Sequence, residues 1–389
     1  MRQNDPMPVN PPQRRPELVA LTGLRFAAAL GVVAFHLRGH LTALFPGLSG
    51  LDLALSAGSL GVELFFVLSG FILGYHYLDQ LARPGRGTYR HFLRKRFARI
   101  YPMHLASLLL LALFVVVMAR IGRPVSNPEA YTMPSFWANL ALVQCWTLDD
   151  CGLSWNGPAW SLSAEWLAYL AFPLAAWTAR FARRGVLLWS VIALVVVGQL
   201  WTTEGSGLHG GIPRVATTFL LGVLLARVHL DGVPRLRWDA IAAWSVAVSI
   251  GVSVALAQSG RSFTVVIPLF GVVVLALANA EGHGLAGGLT RTLSGARMRF
   301  WGDASYALYM THALVLAAGA EFVRLEIAAQ GSLASRLGVI GGYLFAILLV
   351  AAVAYQEVER RSRRWFRSSG PGGTPGRERD QQIAQSTPT

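Results

Sequence analysis

The chain has 389 residues, of which 53% are hydrophobic and only 14% are charged, and its mean hydropathy is +0.46. This composition is too apolar for a soluble protein of such length and indicates a membrane protein. The formal charge of +14 comes from 34 basic residues against 20 acidic ones, spread between apolar segments. We interpret it as a topology signal, and we expect no binding of nucleic acid.

Uncharged or nearly uncharged stretches long enough to cross a bilayer recur along the whole sequence. They predict ten membrane-spanning helices, at about residues 18–38, 58–79, 100–119, 159–178, 186–203, 211–227, 239–258, 262–280, 303–321 and 337–356. The sixth is the weakest, since only Val215–Ala226 separates Arg214 from Arg227. The predicted fold class is therefore all-α, a polytopic membrane protein.

The basic residues between these spans fall mostly on one side of the membrane. With the N-terminus inside, the inner segments hold most of the 34 basic residues, chiefly around 83–99, 180–184, 227–237, 291–299 and 360–379. Such an imbalance places both termini in the cytoplasm. Because lysine is nearly absent, the composition also suggests a GC-rich bacterial genome, and hence the inner (plasma) membrane.

Both ends of the sequence differ from its middle. Residues 1–17 and 367–389 are rich in Pro, Gly, Ser, Gln and charge, and we expect them to be disordered cytoplasmic tails around one membrane domain, 18–366. The longest outer loop, 121–157, contains the two cysteines, Cys145 and Cys151. These form a disulfide or remain two separate thiols, and the sequence leaves both alternatives open.

The first predicted span carries two ionisable residues, Arg25 and His36. Eleven helical steps bring them within about 20° of one face and about 16 Å apart along the axis. Charged groups inside a membrane are costly and usually line a protein interior or a watery cavity. The pair therefore marks a candidate site; the alternative is that Arg25 reaches the interface and His36 caps the outer end.

Two further spans carry carboxylates in their outer halves, Glu63 and Glu165. A carboxylate bonded to one imidazole nitrogen fixes the tautomer and raises the basicity of the other nitrogen. We therefore expect Glu63 or Glu165 to orient His36 as a general base. Ser69 and Gly70 are better explained by close helix packing.

A basic segment precedes the third span and contains Arg94, Lys95, Arg96 and Arg99. Such a cluster either anchors the loop to anionic lipid headgroups or binds a polyanionic cytosolic ligand, such as the phosphates of coenzyme A. The ninth span places Tyr309 and His312 near the middle of the membrane. His312 fits a satisfied interior histidine as well as it fits a substrate-binding residue.

Six blocks of the sequence together resemble the acyltransferase-3 family of bacterial membrane enzymes. They are Leu21-Thr-Gly-Leu-Arg through His36, Gly61-Val-Glu-Leu-Phe-Phe-Val-Leu-Ser-Gly-Phe, Arg94-Lys-Arg-Phe-Ala-Arg-Ile-Tyr-Pro, Trp160-Ser-Leu-Ser-Ala-Glu, Phe219-Leu-Leu-Gly and Ser305-Tyr-Ala-Leu-Tyr-Met-Thr-His. Each block is moderately specific, and their common order is strong support. The C-terminal block, Tyr355-Gln-Glu-Val-Glu-Arg-Arg, lacks the proline that often follows the glutamate in the family.

The resemblance implies a ten-helix enzyme that moves an acyl group, acetyl above all, from cytosolic acyl-CoA to a hydroxyl of a carbohydrate or secondary-metabolite acceptor. It assigns Arg25 and His36 to catalysis and the Arg-x-x-Arg element to Arg96 and Arg99. Acyl-CoA would be a co-substrate, with no tightly bound cofactor and no metal. The oxyanion formed during transfer needs a hydrogen-bond donor, for which Trp160, Ser163 and Tyr309 are candidates.

A proton-coupled transporter is the main alternative. In that case Arg25, His36, Glu63 and Glu165 would form an intramembrane proton relay. The absence of a convincing internal repeat and the basic cytoplasmic segment favour the enzyme.

Overall fold

A computed structural model describes residues 15–123, 125, 128–146, 154–182, 185–204, 211–259 and 264–368. The described part of the chain is helical and contains no strand. Most of both predicted tails and Cys151 lie outside the described residues. Cys145 is disulfide-bonded, which answers for this residue the question that the sequence left open.

Sixteen α-helices are described in chain order. They are α1 (Val19–Leu44), α2 (Gly50–Ser56), α3 (Gly61–Leu81), α4 (Arg86–Arg120), α5 (Met133–Leu140), α6 (Ala159–Leu170), α7 (Phe172–Phe181), α8 (Gly185–Glu204), α9 (Gly211–Asp231), α10 (Trp238–Gln258), α11 (Ile267–Gly282), α12 (Gly288–Leu293), α13 (Ala296–Phe322), α14 (Leu325–Ala329), α15 (Leu333–Ala354) and α16 (Arg361–Ser368). A six-residue π-helical turn, Tyr355–Arg360, joins α15 to α16.

Six helical stretches in the described part of the chain are long and apolar enough to cross a membrane. They are Val19–Leu44, Gly50–Leu81, Arg86–Arg120, Ile212–Asp231, Trp238–Gln258 and Leu333–Phe366. Two shorter apolar stretches, Gly185–Gly198 and Ile267–Gly282, add to them. Every predicted span overlaps a helix, but the number ten and the orientation of the termini stay predictions.

Two of the predicted spans differ in form from the helices observed. The fourth, 159–178, consists of two helices, α6 and α7, which meet at Ala171. Pro173 stands at the start of α7 and has no N–H with which to continue the ladder of α6, so the break falls there. The third, 100–119, is only the second half of α4, because the basic segment before it is helical too.

The helices that carry the site pack closely through glycine. A Cβ atom on Gly70 of α3 would lie 2.0 Å from the carbonyl oxygen of Phe219 on α9, and one on Gly222 would lie 2.2 Å from that of Val67. Only glycine at both positions lets the two backbones approach this far. This confirms the packing interpretation of Gly70 and gives the Phe219–Gly222 block a structural reason.

A second close pair holds α1 in place. Gly302 of α13 lies against the carbonyl oxygen of Thr22, and Gly23 lies against that of Leu293, so α1 and α13 run in contact. The N-terminus of α1 is fixed by Glu281, whose two carboxylate oxygens accept from the backbone N–H groups of Val19 and Ala20. Arg25 and His36 are thereby set between α3 and α13.

Candidate active site

A cavity of about 920 Å³ lies between α1, α3, α4, α6 and α13. Along α3 it extends from Val62 to Gln80, which corresponds to about 27 Å of helix axis. The cavity is therefore a channel that follows nearly the whole length of one membrane helix. Its two ends differ in chemistry.

One end of the channel is basic. The cationic side chains that line it are Arg15, Lys95, Arg96 and Arg99. The imidazole of His91 and the carboxylate of Asp79, which pairs with Arg15, line the same end. The guanidinium of Arg96 lies 5.3 Å from the ring centre of Tyr77 and 5.8 Å from that of Phe92, so its plane is held by two aromatic faces.

Arg94 does not line the channel and points instead to the surface. Arg96 and Arg99 thus line the channel and Arg94 does not, while ligand binding by these residues stays a prediction. The physical reason is the helix itself: four basic residues on one continuous helix point in different directions, and α4 turns only some of them inward.

The middle of the channel carries the carboxylate Glu165. Its Oε1 atom accepts hydrogen bonds from Ser69 at 2.6 Å and from Tyr169 at 2.5 Å, and all three side chains line the wall. Arg25 lines the same wall and lies within electrostatic range of Glu165. These polar side chains therefore interact with one another inside the protein and do not face lipid.

The far end of the channel is mostly apolar. Ser161 and Tyr309 close it through a hydrogen bond of 2.8 Å between their hydroxyls, and the hydroxyl of Tyr309 donates to the carbonyl oxygen of Pro158 at 3.0 Å. The ring of Phe65 lies 5.8 Å from that of Tyr309. Tyr309 also contacts His312, with 5.9 Å between their ring centres, so the channel ends next to a histidine.

His36 lies outside the channel lining, next to His312. The Nδ1 atom of His36 is 2.8 Å from the carbonyl oxygen of Val32 and 3.3 Å from Nε2 of His312. Nδ1 of His312 is 2.7 Å from the carbonyl oxygen of Tyr309 and must carry a proton to bond there. In the neutral pair, Nδ1 of His36 is then protonated as well, and its Nε2 is left as a lone-pair base.

The partner of His36 is therefore a histidine, and the expectation that a carboxylate orients His36 is wrong. Glu63 instead forms an ion pair of 2.7 Å with Arg214, and Glu165 bonds to Ser69 and Tyr169. Glu63 does not reach His36 because the two residues lie at different depths. The start of α3, Gly61, packs against Ala28 of α1, which is about two helical turns before His36. Glu63 and Glu165 as catalytic residues stay predictions.

Trp160 and Ser163 also lie away from the channel, so neither is placed to donate to an oxyanion there. Trp160 lies beside Arg214, whose guanidinium is 5.2 Å from a Trp160 ring centre. Ser163 is buried and donates to the carbonyl oxygen of Leu142 while accepting from the N–H of Cys145. It therefore holds the segment from Leu142 to Cys145 onto α6.

Several residues of the site were not singled out from the sequence, Tyr169 and Tyr306 among them. Tyr169 lies four residues after Glu165, on the same helical face, so helical spacing could have found it. Tyr306 lines the channel and donates to the carbonyl oxygen of Ile100 at 2.6 Å, a contact between distant segments that no local pattern shows. Among the described residues, no group of three or more acidic, histidine or cysteine side chains could hold a metal ion.

The sequence matches the family model described as "Acyltransferase domain" over residues 18–355. Acyltransferase MdmB of Streptomyces mycarofaciens is 30% identical over 366 residues, which cover 88% of this chain and 90% of MdmB. Exopolysaccharide production protein ExoZ of Rhizobium meliloti is 26% identical over 311 residues, covering 78% and 89%. O-acetyltransferase OatA of Staphylococcus aureus is 26% identical over 227 residues, which cover 54% of this chain and 34% of OatA.

No solved structure matches the chain. The family model nevertheless covers most of the sequence, and the match to MdmB runs nearly from end to end. The resemblance that six short blocks indicated is thus confirmed: the chain belongs to the acyltransferase-3 family of membrane O-acyltransferases.

Proposed function

We propose that the protein transfers an acyl group, acetyl in the simplest case, from acyl-CoA to a hydroxyl of a carbohydrate or secondary-metabolite acceptor. The observation that carries this proposal is the channel, which has cations at one end and leads toward the histidine pair at the other. A donor with phosphates at one end of a long arm and a thioester at the other matches this arrangement.

The basic end suits the phosphates of the donor. Arg96 and Arg99 line the wall there together with Lys95, and guanidinium groups bind phosphate bidentately. An extended pantetheine arm would then follow α3 past Glu165 and Ser69. Its thioester would arrive at the apolar end, beside Tyr309.

His36 is the general base in this proposal. Its Nε2 atom takes the proton of the acceptor hydroxyl, and the oxygen attacks the thioester carbonyl. The tetrahedral intermediate collapses with cleavage of the carbon–sulfur bond. The leaving thiolate of coenzyme A takes up the proton from His36, so the charges of the enzyme are restored at the end of the cycle.

Tyr309 is the candidate donor to the oxyanion. Its hydroxyl lies at the end of the channel, and its ring is 5.9 Å from that of His312. Tyr309 therefore contacts both the channel and the histidine pair. The hydroxyl must turn away from Pro158 and Ser161 to reach the intermediate.

The acceptor would approach His36 from outside the channel, since the side chain of His36 is exposed there. The names of the relatives, an O-acetyltransferase and an exopolysaccharide production protein among them, are compatible with a hydroxyl-bearing sugar or natural product. We place the enzyme in the bacterial plasma membrane with both termini in the cytoplasm, so that the basic end of the channel faces cytosolic acyl-CoA.

The proposal is tested with purified protein, acetyl-CoA labelled in the acetyl group, and a panel of sugar and macrolide-like acceptors. The expected result is acceptor-dependent release of free coenzyme A with the label in an alkali-labile ester. Proton-coupled transport would instead give uptake into proteoliposomes without consumption of acetyl-CoA. That result would restore the transporter alternative.

A further inference from the structure

A buried carboxylate outside the proposed reaction lies next to the channel. Glu359 is 1% exposed and belongs to the π-helical turn Tyr355–Arg360. Its Oε1 atom forms an ion pair with Arg363, whereas its Oε2 atom is buried without a hydrogen-bond partner in the described structure. A buried, half-satisfied carboxylate in a π-turn is costly, and such turns are frequent at functional sites.

The surroundings of Glu359 are positive. Besides Arg363, it lies within electrostatic range of Arg99 and Arg25, both of which line the channel. The turn packs against α4, which carries Arg99, and against α13. Two other carboxylates lie within electrostatic range of these arginines: Glu165 near Arg25, and Asp303 of α13 near Arg363.

We propose that Glu359 is the counter-charge of the arginines at the channel wall and that it limits the affinity of the site for the anionic part of the donor. This inference rests on the proposed function, since it takes acyl-CoA as the ligand. Glu359 would not contact the substrate. It would act indirectly, by offsetting the positive charge of Arg25 and Arg99.

The sign of this effect follows from charge balance. In the empty protein, Glu359 offsets the mutual repulsion of three arginines. When the donor brings its phosphates to Arg99, the same carboxylate repels them. Donor and product coenzyme A carry the same phosphates, so Glu359 weakens both equally, which leaves donor binding reversible and hastens release of the product.

Glu359→Gln keeps the shape of the side chain and removes its charge. We expect the KM for acetyl-CoA and the inhibition constant of coenzyme A to fall together by about three- to tenfold, as for one charge removed at intermediate distance. The kcat should fall too, because product release is slower. Added salt should reduce the difference from wild type.

The matched control is Glu357→Gln, two residues away in the same turn. Glu357 has a half-exposed side chain and pairs with Arg361 on the surface. Its loss should leave the KM for acetyl-CoA at the wild-type value. A merely structural role of Glu359 would raise the KM of Glu359→Gln, and an unchanged or raised KM in a folded variant overturns the proposal.

A second comparison covers the case in which Glu359→Gln does not accumulate. Arg363→Gln should weaken donor binding, and the double variant Glu359→Gln with Arg363→Gln should return it to near the wild-type value, since the net charge is restored. Equal affinity of the Arg363→Gln and double variants contradicts the proposal. If wild-type protein does not bind acetyl-CoA saturably, the proposed function fails, and this outcome is distinct from all the others.

Discussion

His312 Nε2 lies 3.3 Å from Nδ1 of His36, so a buried histidine of α13 contacts the exposed histidine of α1. His312 in turn is bonded through Nδ1 to the carbonyl oxygen of Tyr309 at 2.7 Å. This chain of contacts fixes both tautomers, because each Nδ1 is committed to an acceptor. It leaves Nε2 of His36 as the atom that can take a proton.

The first prediction concerns this pair. His312→Ala removes one of the two groups that hold the ring of His36, so we expect kcat to fall by about tenfold at an unchanged donor KM. This is less than the 10²-fold or more expected from loss of a general base. The control is His40→Ala. His40 lies on α1 like His36, and its ring contacts Tyr343, so this variant should keep the wild-type kcat. An equal loss in both variants would indicate general damage to α1.

A second prediction tests the basic end of the channel. Combining Arg96→Ala with Arg99→Ala should raise the KM for acyl-CoA at least about tenfold, since charge-assisted hydrogen bonds contribute about 1.5–3 kcal/mol each. Lys at both positions should rescue only in part, because an ammonium keeps the charge but not the planar fork. Arg94→Ala is the matched control, because Arg94 does not line the channel. If the basic segment only anchors the protein to lipid headgroups, the Ala variant should be expressed at a lower level while its KM for acyl-CoA stays normal.

The third prediction concerns the close contact of α3 with α9. Gly222→Ala would place a Cβ atom 2.2 Å from the carbonyl oxygen of Val67, and it should destabilise the protein by about 1–3 kcal/mol. Gly251→Ala on α10 meets no atom within 4 Å and should be neutral or slightly stabilising. Thermal unfolding in detergent measures both. Equal melting temperatures would mean that the two helices are not packed as described.

The fourth prediction concerns the ion pair of Glu63 with Arg214. The side chain of Glu63 is 3% exposed, so removal of its partner by Arg214→Gln leaves a buried charge uncompensated. We expect a loss of about 3 kcal/mol in the free energy of unfolding for this variant. The double variant with Glu63→Gln should be more stable than Arg214→Gln alone. Additive losses would show that the two side chains do not interact.

A fifth prediction tests the orientation in the membrane. Single cysteines at Arg90 and Gly295 should be protected from an impermeant thiol reagent in intact cells, whereas cysteines at Leu48 and Pro128 should react. The expectation follows from the distribution of basic residues. The opposite pattern would place the basic end of the channel outside the cell, away from cytosolic acyl-CoA.

Much of the fold follows from local sequence patterns. Apolar stretches of spanning length identified where helices lie, because their composition alone decides burial in a membrane. They did not show that the basic segment and the third span form one helix, α4, since hydropathy marks the membrane boundary and not the end of a helix. Pro173 is a local signal for the break between α6 and α7. The prediction of one continuous span relied on the length of the apolar stretch and did not use this signal.

The site was less accessible from sequence. Arg25, His36 and Glu165 stand out because charge inside an apolar segment is rare. Their partners depend on how the helices are rotated against one another, and no single sequence records that. The pairing of Glu63 with Arg214 joins positions 151 residues apart, and the contact of His36 with His312 crosses an even longer separation.

The most direct test of the proposed mechanism separates donor binding from transfer in one variant. His36 lies outside the channel, so His36→Ala should bind acetyl-CoA with the affinity of the wild type while transfer to the acceptor falls by about 10²-fold or more. Equilibrium binding and single-turnover transfer on the same preparation measure both quantities. Near-normal transfer, or loss of donor binding together with transfer, would contradict the assignment of His36 as the base beyond the donor channel.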